Sequence, residues 1–289
     1  MKPDAEQYGR PLSIEDYSNR FIVHPLSALI VKLALPLGIS ANAVSITGLG
    51  FGLAAGLFYF HQSNWIYALA GFACMFIWHV LDGADGRIAR ATNSTSSLGR
   101  IIDGVCDHLV FASVYFGFVF YLLSTGSSNT VWLLAISAAL SHALQSAAYE
   151  ERRQKYHRRL NGLQRGAIAE KLNEIGGKKS LLAKAYDTVQ KLSATKTSPL
   201  DEYLQEHNPS NDPQFNKNIA TQTVPLVRAW GLLNANNRTI LLAITAMAGQ
   251  PVLYFLLEVI ALNLVFIGLL FFERHTETTI IAQQRAADR

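Results

Sequence analysis

Four aspartates in one short segment could do chemistry together. Asp82, Asp85, Asp103 and Asp107 lie within HVLDGADGRIARATNSTSSLGRIIDGVCDH, residues 79–108. At about 100° per residue, Asp82, Asp85, Gly86, Ala89 and Arg90 share one helical face of roughly 140°. Gly99, Asp103 and Asp107 recur at every fourth residue and make one stripe of a following helix. The run 91–98, rich in Ser, Thr and Asn, supplies a turn that brings the two acidic faces together. Like charges this close to a low-dielectric boundary do not all stay ionised unaided: either most are protonated or a cation binds. The donors are all oxygen, with no Cys or His set, which suits Mg²⁺, Mn²⁺ or Ca²⁺ rather than zinc. Gly86 and Ala89 leave the same face open at backbone level, and Arg90 beside them can grip a phosphate with two N–H donors. Helix caps and interfacial surface charges would explain one or two of these residues. They would not explain a full face plus a matched stripe. The residues alone therefore point to a phosphate substrate, held through a divalent cation at a membrane surface.

The elements that must position this face are apolar. Half of the 289 residues are hydrophobic and only 16% are charged, against about 25% in a soluble domain. The mean hydropathy is +0.17. Disorder is excluded by the amount of apolar surface available for burial. A net charge of +4 is too mild for a nucleic-acid binder. Cys74 and Cys106 sit in apolar runs and form no CxxC pair, which excludes a disulfide framework and a Cys-based zinc site. Runs at 45–60 (extendable back to Ile39), 65–81, 101–123 and 131–148 approach the ~20 residues that span a bilayer. A last apolar block, 240–272, is broken by Gly249-Gln250-Pro251 into a hairpin with arms 240–248 and 252–272. The first arm is short, so it must begin near Leu232 or line a cavity. The expected fold is an all-α integral membrane protein with six transmembrane helices.

Residues 1–20 carry Asp4, Glu6, Glu15 and Asp16 without an apolar run, unlike a secretory leader. From Tyr17 to Pro36 the positions Phe21, Ile22, Leu26, Leu29, Ile30 and Leu33 recur at helical spacing, with Arg20, His24 and Lys32 among them. This is an amphipathic helix, read here as interfacial, with a buried cytosolic helix as the other reading. All 25 Lys and Arg fall in the N-terminal segment, the loop after the second helix, the region 151–238 and the tail. The opposite turns, 61–64, 124–129 and 249–251, hold none. The positive-inside rule then places both termini and the acidic site in the cytoplasm, at the plasma or inner membrane. The expected organisation is a cytoplasmic N-terminus with the interfacial helix (1–38) and transmembrane helices 1–4 with the site (39–150). A cytoplasmic helical insert between helices 4 and 5 (151–222), transmembrane helices 5–6 (223–275) and a cytoplasmic tail (276–289) follow. In the insert, Leu181, Leu182, Ala185, Val189 and Leu192 mark a helix. The cluster from Arg152 to Arg165 reads equally as a contact for anionic headgroups or as a solvated helix. Glu258 lies deeper and reads as a packing or cavity residue, and His108 and His142 as satisfied polar groups. A cation transporter would want its carboxylates at mid-membrane depth, whereas these lie at helix ends.

The spacing D-x2-D-G-x2-A-R-x8-G-x3-D-x3-D resembles the signature of the CDP-alcohol phosphotransferases, and every fixed position is present from Asp82 to Asp107. A weaker resemblance lies at Ser40-Ala41-Asn42-Ala43-Val44-Ser45, where Ala41 replaces the family's usual Pro and Ser45 its Thr. The resemblance covers roughly 20–150 and the last two helices, and leaves 151–222 without a counterpart. It implies that Asp82, Asp85 and Asp103 bind metal, with Asp107 sharing an ion and acting as general base. Two ions of Mg²⁺ or Mn²⁺ are expected. It further implies that Asn42, Ser45, Gly86, Ala89, Arg90 and Ser96 meet the CDP moiety. The implied reaction transfers a phosphatidyl or other phospho-alcohol group to an alcohol hydroxyl, with release of CMP, in phospholipid biosynthesis. The favoured donor is CDP-diacylglycerol, because a six-helix chain is short for the subclass that joins CDP-choline or CDP-ethanolamine to diacylglycerol. The turn RATNSTSSLG looks somewhat like that second subclass. A homodimer in the bilayer is expected, and no nucleic-acid partner.

Overall fold

A computed structural model describes residues 11–95, 97–162, 198–208 and 212–287, with side chains from 105 onward in the helix that begins at Ser97. The described residues are helices and their connections. A π-helical turn, Asn19–Val23, leads into α1 (His24–Ala34). Then come α2 (Ala41–Phe60), α3 (Trp65–Ala91), α4 (Ser97–Ser124) and α5 (Val131–Asn161). After these follow α6 (Pro199–His207), α7 (Pro213–Trp230), α8 (Ala235–Met247), α9 (Pro251–Leu256), a second π turn (Leu257–Ala261) and α10 (Leu262–Ala287). The expected insert helix around 181–192 lies outside the described residues.

Among the described residues, five helices are long and apolar enough to cross a membrane: Ala41–Phe60, Trp65–Ala91, Val105–Ser124, Val131–Asn161 and Pro251–Ala286. The first arm of the last hairpin, α8, has 13 residues. At 1.5 Å per residue that is about 20 Å, short of ~30 Å of hydrocarbon. Two helices outrun their apolar stretches. The fourth expected span, α5, was read to end near Ala148 but continues to Asn161, and the last helix, α10, continues from Phe272 to Ala287. Their polar extensions support each other in a way described below.

The chain forms two compact units. The first holds Met1–His142 and Ala235–Ala261, and the second Ala143–Asn234 and Leu262–Arg289. In the first unit the helix ends follow local chemistry. Ser40 caps α2 by accepting from the Ala43 N–H, and Asn64 caps α3 by accepting from Ile66. Gly249 ends α8 with φ +67°, while Gln250 N–H reaches Thr245 O and Gly249 N–H reaches Ala246 O. This is the left-handed cap that glycine adopts without strain, and Pro251 then starts the next helix.

Small residues decide how α2 meets its neighbours. Gly48, Gly52 and Gly56 are buried at every fourth residue of α2. A Cβ on Gly48 would touch Leu81 and Trp78 of α3, one on Gly52 would strike Val110, and one on Gly56 would land on the backbone of Ser113 in α4. Gly117 faces back onto the carbonyl of Gly56. The pairs 52/110 and 56/113 advance together, so α2 and α4 run parallel, with α3 antiparallel between their ends in sequence. Aromatic side chains fill the space below, with Tyr59 edge-on to Phe118 at 5.2 Å. Because the obstacle at Gly56 is backbone, no rotamer change relieves it. Gly56→Ala is expected to cost about 1–3 kcal/mol by overpacking. Gly50→Ala, whose Cβ meets nothing within 4 Å among the described residues, should be neutral or stabilising. Melting curves of the two variants in detergent check this, and equal behaviour would refute the close α2–α4 approach.

The N-terminal segment packs on α3. Ser27 Oγ donates to Val80 O at 2.7 Å, and a Cβ at Gly83 would meet that hydroxyl at 2.6 Å. Ala34 joins Val44, Ala84 and Ile88 in a small buried cluster. Phe21, Leu29 and Leu33 remain exposed on the other side.

In the second unit, α5 and α10 meet through a ladder of ion pairs. Arg152 Nε lies 3.0 Å from Glu273, and Lys155 Nζ 2.9 Å from both Glu273 and Glu277. Arg159 bridges Glu277 at 2.6 Å and Asp201 of α6 at 2.7 Å. Arg152 also lies over the Trp230 ring, 4.3 Å from its centroid. Arg153 and Arg158 pair with Glu150 and Glu151. The cations from 152 to 159 are thus committed to carboxylates of their own chain, a third outcome beside headgroup contact and simple solvation. Burial pushes the Asp201 carboxyl up, but Arg159 and Lys155 outweigh it and hold it below the usual value. A depressed folded value means that this pairing stabilises above the ordinary carboxylate range near 3.9 and is lost as pH falls through the lower, folded value. Thermal melts from pH 7 to 3 should show an acid-side loss that Asp201→Asn shrinks, with the variant already less stable at pH 7. Identical acid limbs would rule the pairing out as a stabiliser.

Candidate active site

The acidic segment occupies the end of α3 and the start of α4. The α3 end is built by its own sequence. Asn93 adopts φ +53°, Asn93 N–H bonds Arg90 O, and Ser94 N–H bonds Ala89 O. Asparagine is the residue besides glycine that tolerates this left-handed cap. Thr92 Oγ1 adds a bond to Ile88 O and lies 2.9 Å from Ser94 Oγ. The chain is thereby turned sharply within the run read as a turn, and α4 begins at Ser97.

On α3, Asp85 is buried and Asp82 half-buried. Ser45 of α2 donates its hydroxyl to Asp85 Oδ2 at 2.5 Å. Gly86 is open among the described residues: there the only atom near a Cβ built on it is Nη1 of Arg90, at 3.5 Å. Ala89 is half-buried, and Arg90 and Asn42 are exposed. Asp107 is half-buried on α4. Seven residues back from Gly52 is Ser45, and seven back from Val110 is Asp103, so the parallel register of α2 and α4 sets the Asp103 backbone level with Ser45. The structure therefore joins the α2 entrance to the acidic face through Ser45 and Asp85. The Asp103 side chain and Ser96 lie outside the described residues. Among the described residues, no three His, Cys, Asp or Glu side chains gather closely enough to hold a metal ion.

Arg87 is the residue whose place sequence reasoning missed. It was counted with the basic loop, but it is buried on α3 and turned toward the N-terminal segment. Its Nη1 donates to His24 O at 2.9 Å and its Nη2 lies 2.6 Å from His24 Nδ1. Glu15 lies 3.3 Å from the other His24 nitrogen. Its angular position offered the signal: Arg87 falls off the face shared by Asp82, Gly86 and Arg90.

Residues 39–164 match the sequence model of a family described as CDP-alcohol phosphatidyltransferase. This stretch is a CDP-alcohol phosphatidyltransferase domain. The domain contains the whole acidic signature and the α2 entrance. Choline/ethanolaminephosphotransferase 1 of Arabidopsis thaliana is 28% identical over 130 residues, covering 42% of this chain and 32% of its own. Ethanolaminephosphotransferase 1 of Homo sapiens is 31% identical over 145 residues, with 42% and 36% covered. Cholinephosphotransferase 1 of Rattus norvegicus is 37% identical over 83 residues, with 26% and 21% covered. The chain thus spans about a third or less of the length of these relatives. With its apolar helices, the domain marks an integral membrane protein. The family uses a divalent metal, and the all-oxygen donors at Asp82, Asp85 and Asp107 fit a hard cation in kind.

Proposed function

We propose that this chain is a membrane phosphotransferase that moves a phospho-alcohol group from a CDP-alcohol to an alcohol hydroxyl and releases CMP, in phospholipid biosynthesis. One observation carries the reading. Ser45, which the family resemblance assigns to the nucleotide, is hydrogen-bonded to Asp85 of the acidic signature. Two motifs 40 residues apart thus meet at one place on the domain. Asp82, Asp85 and Asp103 would hold two ions of Mg²⁺ or Mn²⁺, with Asp107 sharing one. A metal bound there would supply positive charge against the pyrophosphate. Asn42, Ser45, Gly86, Ala89, Arg90 and Ser96 hold the CDP moiety. Asp107 takes the proton of the acceptor hydroxyl, whose oxygen forms the new bond to the β-phosphorus. The bond from that phosphorus to the CMP oxygen breaks, and CMP leaves with the electron pair. Most of the rate then comes from positioning and electrostatics.

In this reading α8 is a sixth, short crossing, and the boundaries at 38, 150, 222 and 275 separate cytoplasmic from membrane segments. The exposed Phe21, Leu29 and Leu33 suit an N-terminal helix lying in the interface. Both termini and the site face the cytoplasm. Cysteines placed at the exposed Ser63 or Ser127 should react with an impermeant maleimide on intact cells, and one at Gln283 should not. Labelling at Gln283 alone would invert the orientation. Light scattering of the solubilised protein tests the homodimer.

The donor is CDP-diacylglycerol, with a small polar alcohol as acceptor. The names of the relatives favour a second reading, in which CDP-choline or CDP-ethanolamine donates to diacylglycerol. Purified protein in nanodiscs, given each donor with its acceptors, with and without Mg²⁺, decides between them by CMP release. No CMP from any pairing would refute the reaction.

A further inference from the structure

A chain of polar side chains in the first unit is not used by the chemistry above. At its centre Arg238 donates from Nε to Glu258 Oε1 at 2.9 Å, and both side chains are 0% exposed. Glu258 sits in the π turn Leu257–Ala261, a departure from regular helix found frequently at functional positions. Tyr254 donates to the same oxygen at 2.8 Å. Its hydroxyl lies 3.2 Å from that of Tyr115 on α4, which lies 3.2 Å from His142 Nδ1 on α5. A second arm starts beside Arg238: Thr239 Oγ1 lies 2.8 Å from His79 Nε2 on α3. One hairpin, α8 through the π turn, therefore holds α3 by one arm and α4 and α5 by the other.

The arms end at a meaningful place. Trp78 of α3 and Phe111 of α4 meet edge to face, with ring centroids 5.7 Å apart. Trp78 precedes Asp82 by one turn and Phe111 follows Asp107 by one turn, so this ring pair is a spacer just below the carboxylates. His79 lies against Trp78 at 4.3 Å, and His142 meets Phe111 edge-on at 4.4 Å. Each ring of the spacer is thus backed by a histidine at the end of one arm. Apolar side chains of similar shape would hold the hairpin as firmly as a buried ion pair does. What the hydrogen bonds add is direction, because they fix which turn of α3 and of α4 stands opposite the hairpin.

We propose that Arg238, Glu258, Tyr254 and Thr239 are positioning residues that set the α3–α4 separation at which the Asp82/Asp85 face and the Asp103/Asp107 stripe meet one substrate. What the separation serves rests on the phosphotransferase reading; the separation itself does not. Thr239→Val and Tyr254→Phe each remove a hydroxyl and leave the side-chain shape nearly unchanged. Glu258→Gln keeps an acceptor for Arg238 and Tyr254 but leaves the buried Arg238 cation without its counter-charge. Spin labels on cysteines at the exposed Ala91 and Leu109, with Cys74 and Cys106 replaced by Ala, report the α3–α4 distance by dipolar electron paramagnetic resonance in nanodiscs. CMP release is measured on the same samples. The combined Thr239→Val/Tyr254→Phe variant should broaden or shift the distance distribution, and Glu258→Gln should do so as well. In the double variant kcat should fall by up to about 100-fold, as a displacement of ~1 Å can cause, with KM for the CDP-alcohol changed by less than about threefold. A kcat loss with an unchanged distance would overturn the proposal, giving these groups a direct role, and so would a double variant that matches the parent in both. If the double variant fails to insert, Thr239→Val alone carries the same two readouts. A shifted distance in a protein that releases no CMP even unmutated supports the positioning and refutes only the reaction.

Discussion

Asp85→Asn is expected to abolish CMP release and to leave the helices folded. The substitution keeps the shape of the side chain and an oxygen that can accept from Ser45, which lies 2.5 Å from the present carboxylate. It removes one negative charge from the site proposed to hold a dication and a pyrophosphate. Electrostatic groups in water-excluded sites contribute most where charge is densest, so the loss should be on the order of 10³-fold or more. Asp82→Asn and Asp103→Asn should behave alike. Stability moves the other way. With one of several like charges gone, mutual repulsion falls, and the melting temperature should be equal to or above that of the parent. The parent's activity should vanish in EDTA and return with Mg²⁺ or Mn²⁺. Full turnover in chelator, or an active Asp85→Asn protein, would end the metal assignment.

Asp107→Asn should separate base from ligand. Asp107 lies one turn beyond Asp103 on α4, so one can face the acceptor hydroxyl while the other faces the ion. The amide keeps the volume and loses the basic oxygen. General-base catalysis contributes about 10²–10⁴-fold, so kcat should fall by that factor while KM for the CDP-alcohol barely changes. The acid limb of the pH–rate profile, set by protonation of the base, should disappear in the variant. A parallel collapse of metal affinity and kcat would make Asp107 chiefly a ligand and send the search for the base elsewhere.

Periodicity made the acidic faces legible, because residues three and four apart share a helix side whatever the rest of the chain does. Helix ends were legible for the same local reason: Gly249-Gln250-Pro251 and the Asn-containing run after Ala91 carry their own caps. Partners far apart in sequence were not. Ser45 was matched to the nucleotide by resemblance, and nothing local says that it donates to Asp85. Glu258 was read as a packing residue, and its pairing with Arg238 needs the hairpin to be closed first. The ion-pair ladder left a faint signal, since Arg152, Lys155 and Arg159 make one stripe and Glu273 and Glu277 another. Matching stripes of opposite sign across 120 residues cannot be told from chance until the helices are seen side by side.

The parallel course of α2 and α4 also fixes where the chain tolerates a change of length. Between Ser45 and Gly56 each position carries a fixed azimuth, set by the glycines that touch α4. One residue inserted there turns everything on its far side by about 100°, which swings Ser45 off Asp85 or Gly56 off Ser113. The turn at 61–64 has no such duty, because α3 can restart from Asn64 with a new cap wherever the turn ends. Insertions, tags and length variants should therefore be accepted at that turn and rejected within the glycine-lined half of α2.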